Sequence, residues 1–294
     1  VADHNVFGRV TPQQKRQMVS ALQARGHTVA MTGDGVNDVL AIKDSDLGVA
    51  MGTGAAATRS VAQLVLLDDS FATLPHVVAE GRRVIGNIER VANFFLTKTL
   101  YSVAFALLVA AWRLPFPFVP IHISVVGWFT IGVPASILAL APNAARARTG
   151  FLQRVMRFGI PAAVVISVTT FISYLLILPL SGGTVTNQVS TAVLVTLICG
   201  GAWVMITISR PYEWWKILMI VGCLAATAAI FLAPLELNIG TVHLQLQEVF
   251  FIDTGNPAML STGFLLGAIA IVLIEIIWWV TGHVTHGERR RLFA

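Results

Sequence analysis

The sequence predicts an α/β unit with a parallel sheet, followed by an all-α bundle of six transmembrane helices. Three observations predict it. Short apolar strands alternate with helical stretches as far as Leu67. The 294 residues are 55% hydrophobic and only 12% charged, with a mean hydropathy of +0.75, too apolar and too poor in charge for an ordinary soluble domain. Charge is also partitioned: nine of the 15 acidic and nine of the 20 basic residues precede Phe94, so the first 93 residues balance to zero and the +5 excess falls on the apolar part. The basic residues are not gathered in a patch with interleaved aromatics, which argues against a nucleic-acid role. Cys199 and Cys223 sit in separate apolar runs with no second Cys or His at ligand spacing and read as packing residues. The start, Val1-Ala2-Asp3-His4-Asn5, is polar, without a cleavable signal or an initiator methionine, and the chain reads as the C-terminal part of something longer.

Taken in order, Val6 to Val10 reads as the end of a strand-like stretch. Thr11-Pro12-Gln13-Gln14 then matches a capped helix start, with Thr at the cap, Pro at the first position and Gln at the third. That helix runs to about Arg25 and is closed by Gly26. Thr28 to Thr32 reads as a buried strand, Asn37 to Lys43 as a short helix, Leu47 to Met51 as a strand, Ala55 to Gln63 as a helix and Leu64 to Leu67 as a strand. Alternation of this kind indicates a parallel sheet, whose ligands bind at the carboxyl ends of strands.

Asp34 falls at such an end, within Thr32-Gly33-Asp34-Gly35-Val36-Asn37-Asp38. Two carboxylates, a carboxamide and two glycines in so short a run suit a magnesium ion and a phosphoryl group. Glycine lets the backbone turn tightly and approach a ligand, and carboxylates supply the hard oxygens that magnesium prefers. The alternative for Asp34 and Asp38 is a polar turn with Asx hydrogen bonds. Lys15, on the preceding helix, could neutralise a phosphoryl oxygen; spacing alone favours the alternative, a solvated charge beside Arg16.

From Phe71 to about Trp112 there is no strong helix breaker after Pro75, so one long helix is expected to leave the soluble unit and enter the bilayer near Phe94. Its first half carries Glu80, Arg82, Arg83, Glu89 and Arg90; its second half is apolar except for Lys98. A helical span needs about 20 apolar residues, and the uncharged stretches parse into spans at 94–112, 119–140, 158–180, 190–209, 217–235 and 259–281. Arg146, Arg148, Arg154 and Arg157 fall in one loop, Arg210 and Lys216 in the next on that side, and Arg289 to Arg291 in the tail, whereas the intervening loops hold only Arg113. The positive-inside rule then places the stalk, the Arg-rich loops and the C-terminus in the cytoplasm. Intramembrane ionisable residues are functional-site candidates, so Lys98, with Thr99 and Ser102 beside it, is a candidate for the transport path; the alternative is a lysine that snorkels to the interface. In the second span Thr130, Gly132, Pro134 and Ser136 break the apolar pattern, and Thr130 and Pro134 join the path candidates, since a mid-span proline frees a carbonyl in the way transporters build ion sites; the alternative is an ordinary proline kink. Glu275, beside Trp278 and Trp279, reads as structural or interfacial.

These segments resemble a P-type ATPase. Val6 to Lys15 is similar to the family's strand, turn and helix carrying a phosphate-contacting lysine. Met31 to Met51, MTGDGVNDVLAIKDSDLGVAM, resembles its hinge motif almost position for position, and the likeness continues through Gly52-Thr53-Gly54, Leu66-Leu67-Asp68-Asp69 and Glu80-Gly81-Arg82. The resemblance implies a haloacid-dehalogenase-like (Rossmannoid) fold, with residues 1–78 as the C-terminal part of its phosphorylation domain, 79–93 as a stalk helix, 94–281 as the six spans and 282–294 as a cytoplasmic tail. It implies that Asp34 ligates catalytic magnesium, that Lys15 contacts an aspartyl phosphate, that Asn37 and Asp38 hold the phosphorylation site, and that Thr32, Gly33 and Gly35 line the cofactor loop. ATP is the implied substrate, yet nothing in the chain matches the DKTGT motif that carries the phosphorylated aspartate. The resemblance thus implies a missing N-terminal part of the same protein, a chain inactive alone, a transported cation and a plasma-membrane location.

Six spans point to the cation pumps related to calcium, sodium/potassium and proton ATPases. Where calcium pumps carry a carboxamide and a carboxylate on the first of these spans, this chain has Thr99 and Ser102. Their three ligands on the next span fall on Gly127, Thr130 and Ile131, so only Thr130 survives and a carboxylate-rich calcium site cannot be built from this chain. The likeness is to bacterial calcium or cation pumps lacking the full ligand set. A lipid-translocating pump and a non-catalytic membrane module are the other readings.

Overall fold

In the computed structural model, described for residues 4–143, 150–232, 236–239 and 242–292, the chain divides into two units, Val1–Gly81 and Arg82–Ala294. The first holds a three-stranded parallel sheet in the order β1 (Ala30–Gly33), β2 (Leu47–Met51), β3 (Leu64–Leu66). Its register pairs Ala30 with Leu47 and Val49 with Leu64. Helices α1 (Pro12–Ala24), α2 (Val39–Asp44) and α3 (Ala56–Val61) alternate with the strands. Helix α1 starts in a capping box: the Gln14 N–H donates to Thr11 Oγ1 and the Thr11 N–H donates to Gln14 Oε1, satisfying two N–H groups the helix cannot bond itself. The apolar side of α2 enters the core, where Ala41 and Ile42 lie fully buried with Val49 and Ala50 of β2.

Three expectations shift here. Val6 to Val10 is not a strand, because Arg9 takes a left-handed φ of 57° and no strand among the described residues pairs with it. The helix expected from Asn37 is a tight 3₁₀ turn at Val36–Asp38 running into α2, and the one expected over Ala55 to Gln63 is α3, shorter at both ends.

The second unit holds most of α4 (Leu74–Ala111), which begins after a short turn at Phe71–Thr73. Six helices are long and apolar enough to cross a membrane, at Phe71–Ala111, Pro120–Ala139, Phe151–Ser181, Asn187–Ile208, Trp214–Phe231 and Pro257–Thr281. The last belongs to a longer helix, Pro257–Leu292. Arg154 and Arg157, expected in a loop, lie in the first turns of α7 (Phe151–Ile177), while Arg146 and Arg148 lie outside the described residues. The second span is not one regular helix: α5 (Pro120–Gly127) and α6 (Val133–Ala139) are joined by a wide π-helical turn, Trp128–Gly132.

Helix α8 (Asn187–Ile208) is the centre of the bundle, 78% buried over its apolar window against 28% for the first and last spans, and it packs chiefly on α7 and on α11 (Pro257–Leu292). Small residues allow the approach: a Cβ on Gly263 would meet the Ala192 carbonyl and one on Gly267 would meet Cys199. At that crossing Thr196 donates to the Gly263 carbonyl at 2.9 Å and lies 2.9 Å from Ser173 Oγ of α7. Helix α9 (Trp214–Leu232) leads to an antiparallel hairpin, β4 (Glu236–Ile239) with β5 (Val242–Gln245), and to the one-turn α10 (Leu246–Val249). Within the unit, α4 is tied to the end of α6 by Asn87 Nδ2, which donates to the carbonyls of Ala139 (3.0 Å) and Ala141 (2.7 Å), and to α7 by a bidentate Arg154–Glu89 pair at 2.9 Å.

Candidate functional site

In the first unit the loop after β1 carries the predicted phosphoryl residues. Gly33 is the last residue of the strand, and a Cβ there would lie 2.7 Å from Asp38 Cγ and Oδ2. Only glycine lets the buried Asp38 fold back over the strand end. Asp38 is 6% exposed, and Lys15 of α1 donates to its Oδ1 at 2.6 Å. The alternative of Lys15 as a purely solvated charge is therefore corrected: its side chain is one-third exposed and engaged. The loop backbone is held by the start of α3. The Ala55 N–H donates to the Asp34 carbonyl at 2.7 Å, Thr58 Oγ1 donates to the Gly35 carbonyl at 2.8 Å, and a Cβ on Gly54 would collide with the Asp34 carbonyl.

With its backbone so fixed, the Asp34 side chain stands exposed at the carboxyl end of β1, without a hydrogen-bond or ion-pair partner among the described residues. Asn37 is likewise exposed, and Thr32, Gly33 and Gly35 are half-buried. The structure thus brings Lys15, Gly33 and Asp38 into contact and leaves Asp34 and Asn37 open. A free carboxylate at a strand end suits a hard divalent cation, and an unpaired carboxylate beside a paired one is the donor set that magnesium and a phosphoryl group would need. Gly54 enters the sequence argument only through the resemblance and Thr58 not at all, yet both clamp the loop; Thr58 is fully buried, but a threonine inside a helix carries no local signal of a hydrogen bond to a distant loop. Asp69, named in the sequence only as part of the resemblance, accepts from the Thr53 N–H at 2.9 Å; this bond holds its carboxyl below the ordinary carboxylate range.

In the second unit, Lys98 of α4 reaches the π-helical turn of the second span. Its ammonium lies so close to Gly127 that a Cβ there would collide with Nζ. The two helices border a cleft of about 550 Å³ lined by Lys98, Ser124, Gly127, Trp128, Gly132 and Ser136, with Val133 and Ile137. Lys98 has no hydrogen-bond or ion-pair partner among the described residues. The other path candidates do not converge on it. Thr130 is 3% exposed and faces Gly201 of α8, about 3.5 Å from where a Cβ would be. Its hydroxyl donates to the Val126 carbonyl at 2.6 Å. Thr99 lies on an exposed face and donates to the Phe95 carbonyl of its own helix at 2.9 Å, and Ser102 is half-buried. Pro134 is buried in the first turn of α6, directly after the wide turn, where its missing N–H cannot satisfy a preceding carbonyl. Gly132 and Ser136, which break the apolar pattern of the second span in the sequence, do line the cleft, as does Ser124, to which the sequence assigns no role.

Glu275 of α11 accepts from Arg210 Nη2 at 2.9 Å on both oxygens and from Trp203 Nε1 at 3.1 Å. The Arg210 guanidinium also stacks on Trp278 at 5.6 Å. Its partners make Glu275 a structural tie between helix ends.

No family model matches the chain. It is 52% identical over 296 residues to the calcium-transporting ATPase CtpE of Mycolicibacterium smegmatis, an alignment covering 97% of this chain and 36% of that protein. The Mycobacterium tuberculosis protein of the same name is 51% identical over 93% of this chain and 35% of its own length. A calcium-transporting ATPase of Bacillus subtilis is 43% identical over 48% of the chain and 16% of its own length. The chain belongs to the P-type ATPase family. It spans about a third of the length of the first two relatives, and its six candidate spans make it a multi-pass membrane protein. Among the described residues of this P-type ATPase chain, no group of three or more His, Cys, Asp or Glu side chains is placed to hold a metal ion. The cleft at Lys98 thus offers hydroxyls, backbone and an ammonium, with no carboxylate of its own.

Proposed function

We propose that this chain is part of an ATP-driven cation transporter working through an aspartyl-phosphate intermediate, with the first unit belonging to a haloacid-dehalogenase-like phosphorylation domain. The observation that carries the reading is Asp34: the loop holds two acids, one neutralised by Lys15 and packed over Gly33, the other free at the carboxyl end of β1. In this role Asp34 and the loop would hold magnesium, with Asp38 anchoring Lys15 so that its remaining N–H groups face a phosphoryl oxygen. Magnesium, when bound, supplies positive charge against the negative charge developing on the phosphoryl oxygens. Asn37 offers an amide to the same group, and Thr32, Gly33 and Gly35 allow close backbone approach.

The phosphorylated aspartate and the ATP-binding residues are not among these 294, so they belong to another part of the protein, and the chain by itself does not turn over ATP. The relatives named for calcium transport favour a cation over a lipid as the cargo, and calcium among cations. In this reading the stalk, the ends bearing Arg154 and Arg210, and the C-terminus face the cytoplasm of a cell whose plasma membrane the six helices cross.

The test is ATP hydrolysis by the full-length protein, reconstituted and screened against calcium, magnesium, manganese, sodium and potassium. Wild-type turnover is expected to depend on one cation, and Asp34→Ala to lose on the order of 10²- to 10³-fold, as when a charge-stabilising group is removed from a phosphoryl site. Full turnover in Asp34→Ala would overturn the assignment.

A further inference from the structure

We propose that Thr58 is the positioning residue that makes the Asp34 loop select magnesium over calcium: by pinning the Gly35 carbonyl it holds the loop too rigid for the larger ion. The inference rests on the phosphorylation-domain reading above and adds what tells the two cations apart there. With calcium as the cargo, cargo and catalytic metal are both divalent and both take hard oxygens. A loop unable to distinguish them would be blocked by the ion the protein carries.

Four observations carry it. First, Asp34 lies between Gly33 and Gly35, and its exposed side chain has no hydrogen-bond or ion-pair partner among the described residues. Two flanking glycines put little restraint on its backbone, so contacts from neighbouring elements decide where the carboxylate points. Second, the hydrogen bonds that tie this stretch to a neighbouring element are two, one on each of two successive carbonyls. The Ala55 N–H donates to the Asp34 carbonyl at 2.7 Å, and Thr58 Oγ1 donates to the Gly35 carbonyl at 2.8 Å. Third, the Thr58 bond is unusual for a threonine in a helix. Thr99 and Thr130 return their hydroxyls to the carbonyl four residues back, the common local bond. Thr58 is fully buried in the first turn of α3, and four residues back from it is Gly54, outside the helix; its hydroxyl reaches across to the loop instead. Fourth, the loop does not need this hydroxyl for its own satisfaction. The Gly35 carbonyl also accepts from the Asp38 N–H at 3.0 Å, so without Thr58 no buried acceptor is left bare.

Magnesium is small and demands near-ideal octahedral geometry, whereas calcium takes more oxygens in flexible arrangements. A loop tied at both carbonyls cannot spread to gather the extra oxygens. With the Gly35 tie cut, the turn from Gly35 to Asp38 stays closed but pivots on the Asp34 carbonyl. Magnesium then loses more than calcium does.

The experiment uses the full-length protein without ATP. Manganese, read by electron paramagnetic resonance, is the probe: the site counted is the one lost in Asp34→Ala, and displacement by magnesium and by calcium gives the ratio of their affinities there. Hydrogen exchange of residues 33–38 in metal-free protein reads the rigidity itself. Thr58→Val keeps the shape and removes the hydroxyl. It is expected to weaken magnesium about tenfold or more, to weaken calcium by less, and to speed exchange about tenfold, as one lost hydrogen bond allows. Thr58→Ser, which keeps the hydroxyl, is expected to match wild type in all three. An unchanged magnesium-to-calcium ratio in Thr58→Val overturns the inference, as does a changed ratio that Thr58→Ser shares. Thr58→Ala, carried alongside, removes the hydroxyl without the bulk of valine; loss of the fold in both variants also overturns the inference, because Thr58 would then serve the fold alone. If Asp34→Ala loses no manganese site, the magnesium reading fails and the inference with it. If that site is lost while Thr58→Val leaves the ratio unchanged, only the role of Thr58 falls.

Discussion

The loop after β1 and the cleft at Lys98 use one device to different ends. In each, a glycine gives up its Cβ so that a charged side chain can lie against backbone: Gly33 beneath Asp38, Gly127 beneath Lys98. In the loop that charge is paired, Lys15 to Asp38, and the neighbouring Asp34 is left free. In the cleft the charge has no partner among the described residues. A paired charge is fixed structure, because moving either partner strands the other. An unpaired one is available for chemistry or exchange. The contrast sets Asp38, fixed by its pair, against Asp34 and Lys98, which have no partner among the described residues.

The strongest way to break this contrast is Gly33→Ala. The new Cβ would lie about 2.5 Å from Asp38 Cβ, against side-chain atoms close to the backbone that cannot swing away. Overpacking of this kind costs about 1–3 kcal/mol, and it also pulls Asp38 off Lys15. Thermal unfolding of the first unit within the full-length protein, followed by hydrogen exchange, is expected to show a clear loss. Gly35→Ala, whose Cβ would meet nothing nearer than Asp38 Oδ2 at 3.9 Å, is expected to leave stability nearly unchanged. Equal effects at the two positions would mean that Asp38 does not need the space.

Much of this frame was legible in the sequence. The capping box at Thr11 and Gln14 is a local signal, and α1 begins where it places the start. The six apolar stretches announced six helices because lipid tolerates little else. What the sequence left open were distances between elements. Nothing local in Gly127 says that an ammonium from another helix lies over it, and nothing in Thr58 says that its hydroxyl reaches the Gly35 carbonyl. Pro134 marked a break in the second span, but the five-residue π-helical turn, which packs against α8 and α9, has no local sequence mark of its own. Val6 to Val10 has the apolar content of a strand and none of the neighbours that make one. The hairpin β4–β5 is signalled only by two four-residue stretches, Glu236-Leu237-Asn238-Ile239 and Val242-His243-Leu244-Gln245, that alternate in the two-residue period of a strand, a weak signal between long apolar runs.

A second comparison lies within the bundle, between Glu275, which is paired, and Lys98, which is not. Arg210→Ala removes the bidentate partner of Glu275 and a stacking contact on Trp278. Both side chains are partly exposed, at 25% and 41%, so the loss is discounted from that of a buried pair to about 1–2 kcal/mol. Lys98→Met, by contrast, replaces an unpaired ammonium with an apolar side chain of similar length, and is expected to leave the melting temperature of the ion-free protein unchanged or raised. Melting of the full-length protein in detergent decides it: a drop for Lys98→Met as large as for Arg210→Ala would give Lys98 a partner and end the contrast.

The smallest expected effect concerns the exposed carboxylates that brace the first unit. Asp46 accepts from the Val29 N–H at 2.8 Å, and Asp69 accepts from the Thr53 N–H at 2.9 Å. Asp68 accepts from the Thr73 hydroxyl and from the Ser70 N–H. In each case hydrogen bonds to the charged form hold the carboxyl below its ordinary value. A group whose pKa falls on folding stabilises the fold at every pH above its unfolded value, near 4, and loses that contribution as pH drops through the lower folded value. Protection of the Val29, Thr53 and Ser70 amides from exchange is therefore expected to stay flat from pH 7 to about pH 5 and to decline only below about pH 4, with Asp69→Asn removing the decline at Thr53 alone. A decline between pH 7 and pH 5 would point to a group other than these carboxylates, because all three remain charged across that interval in both the folded and the unfolded chain.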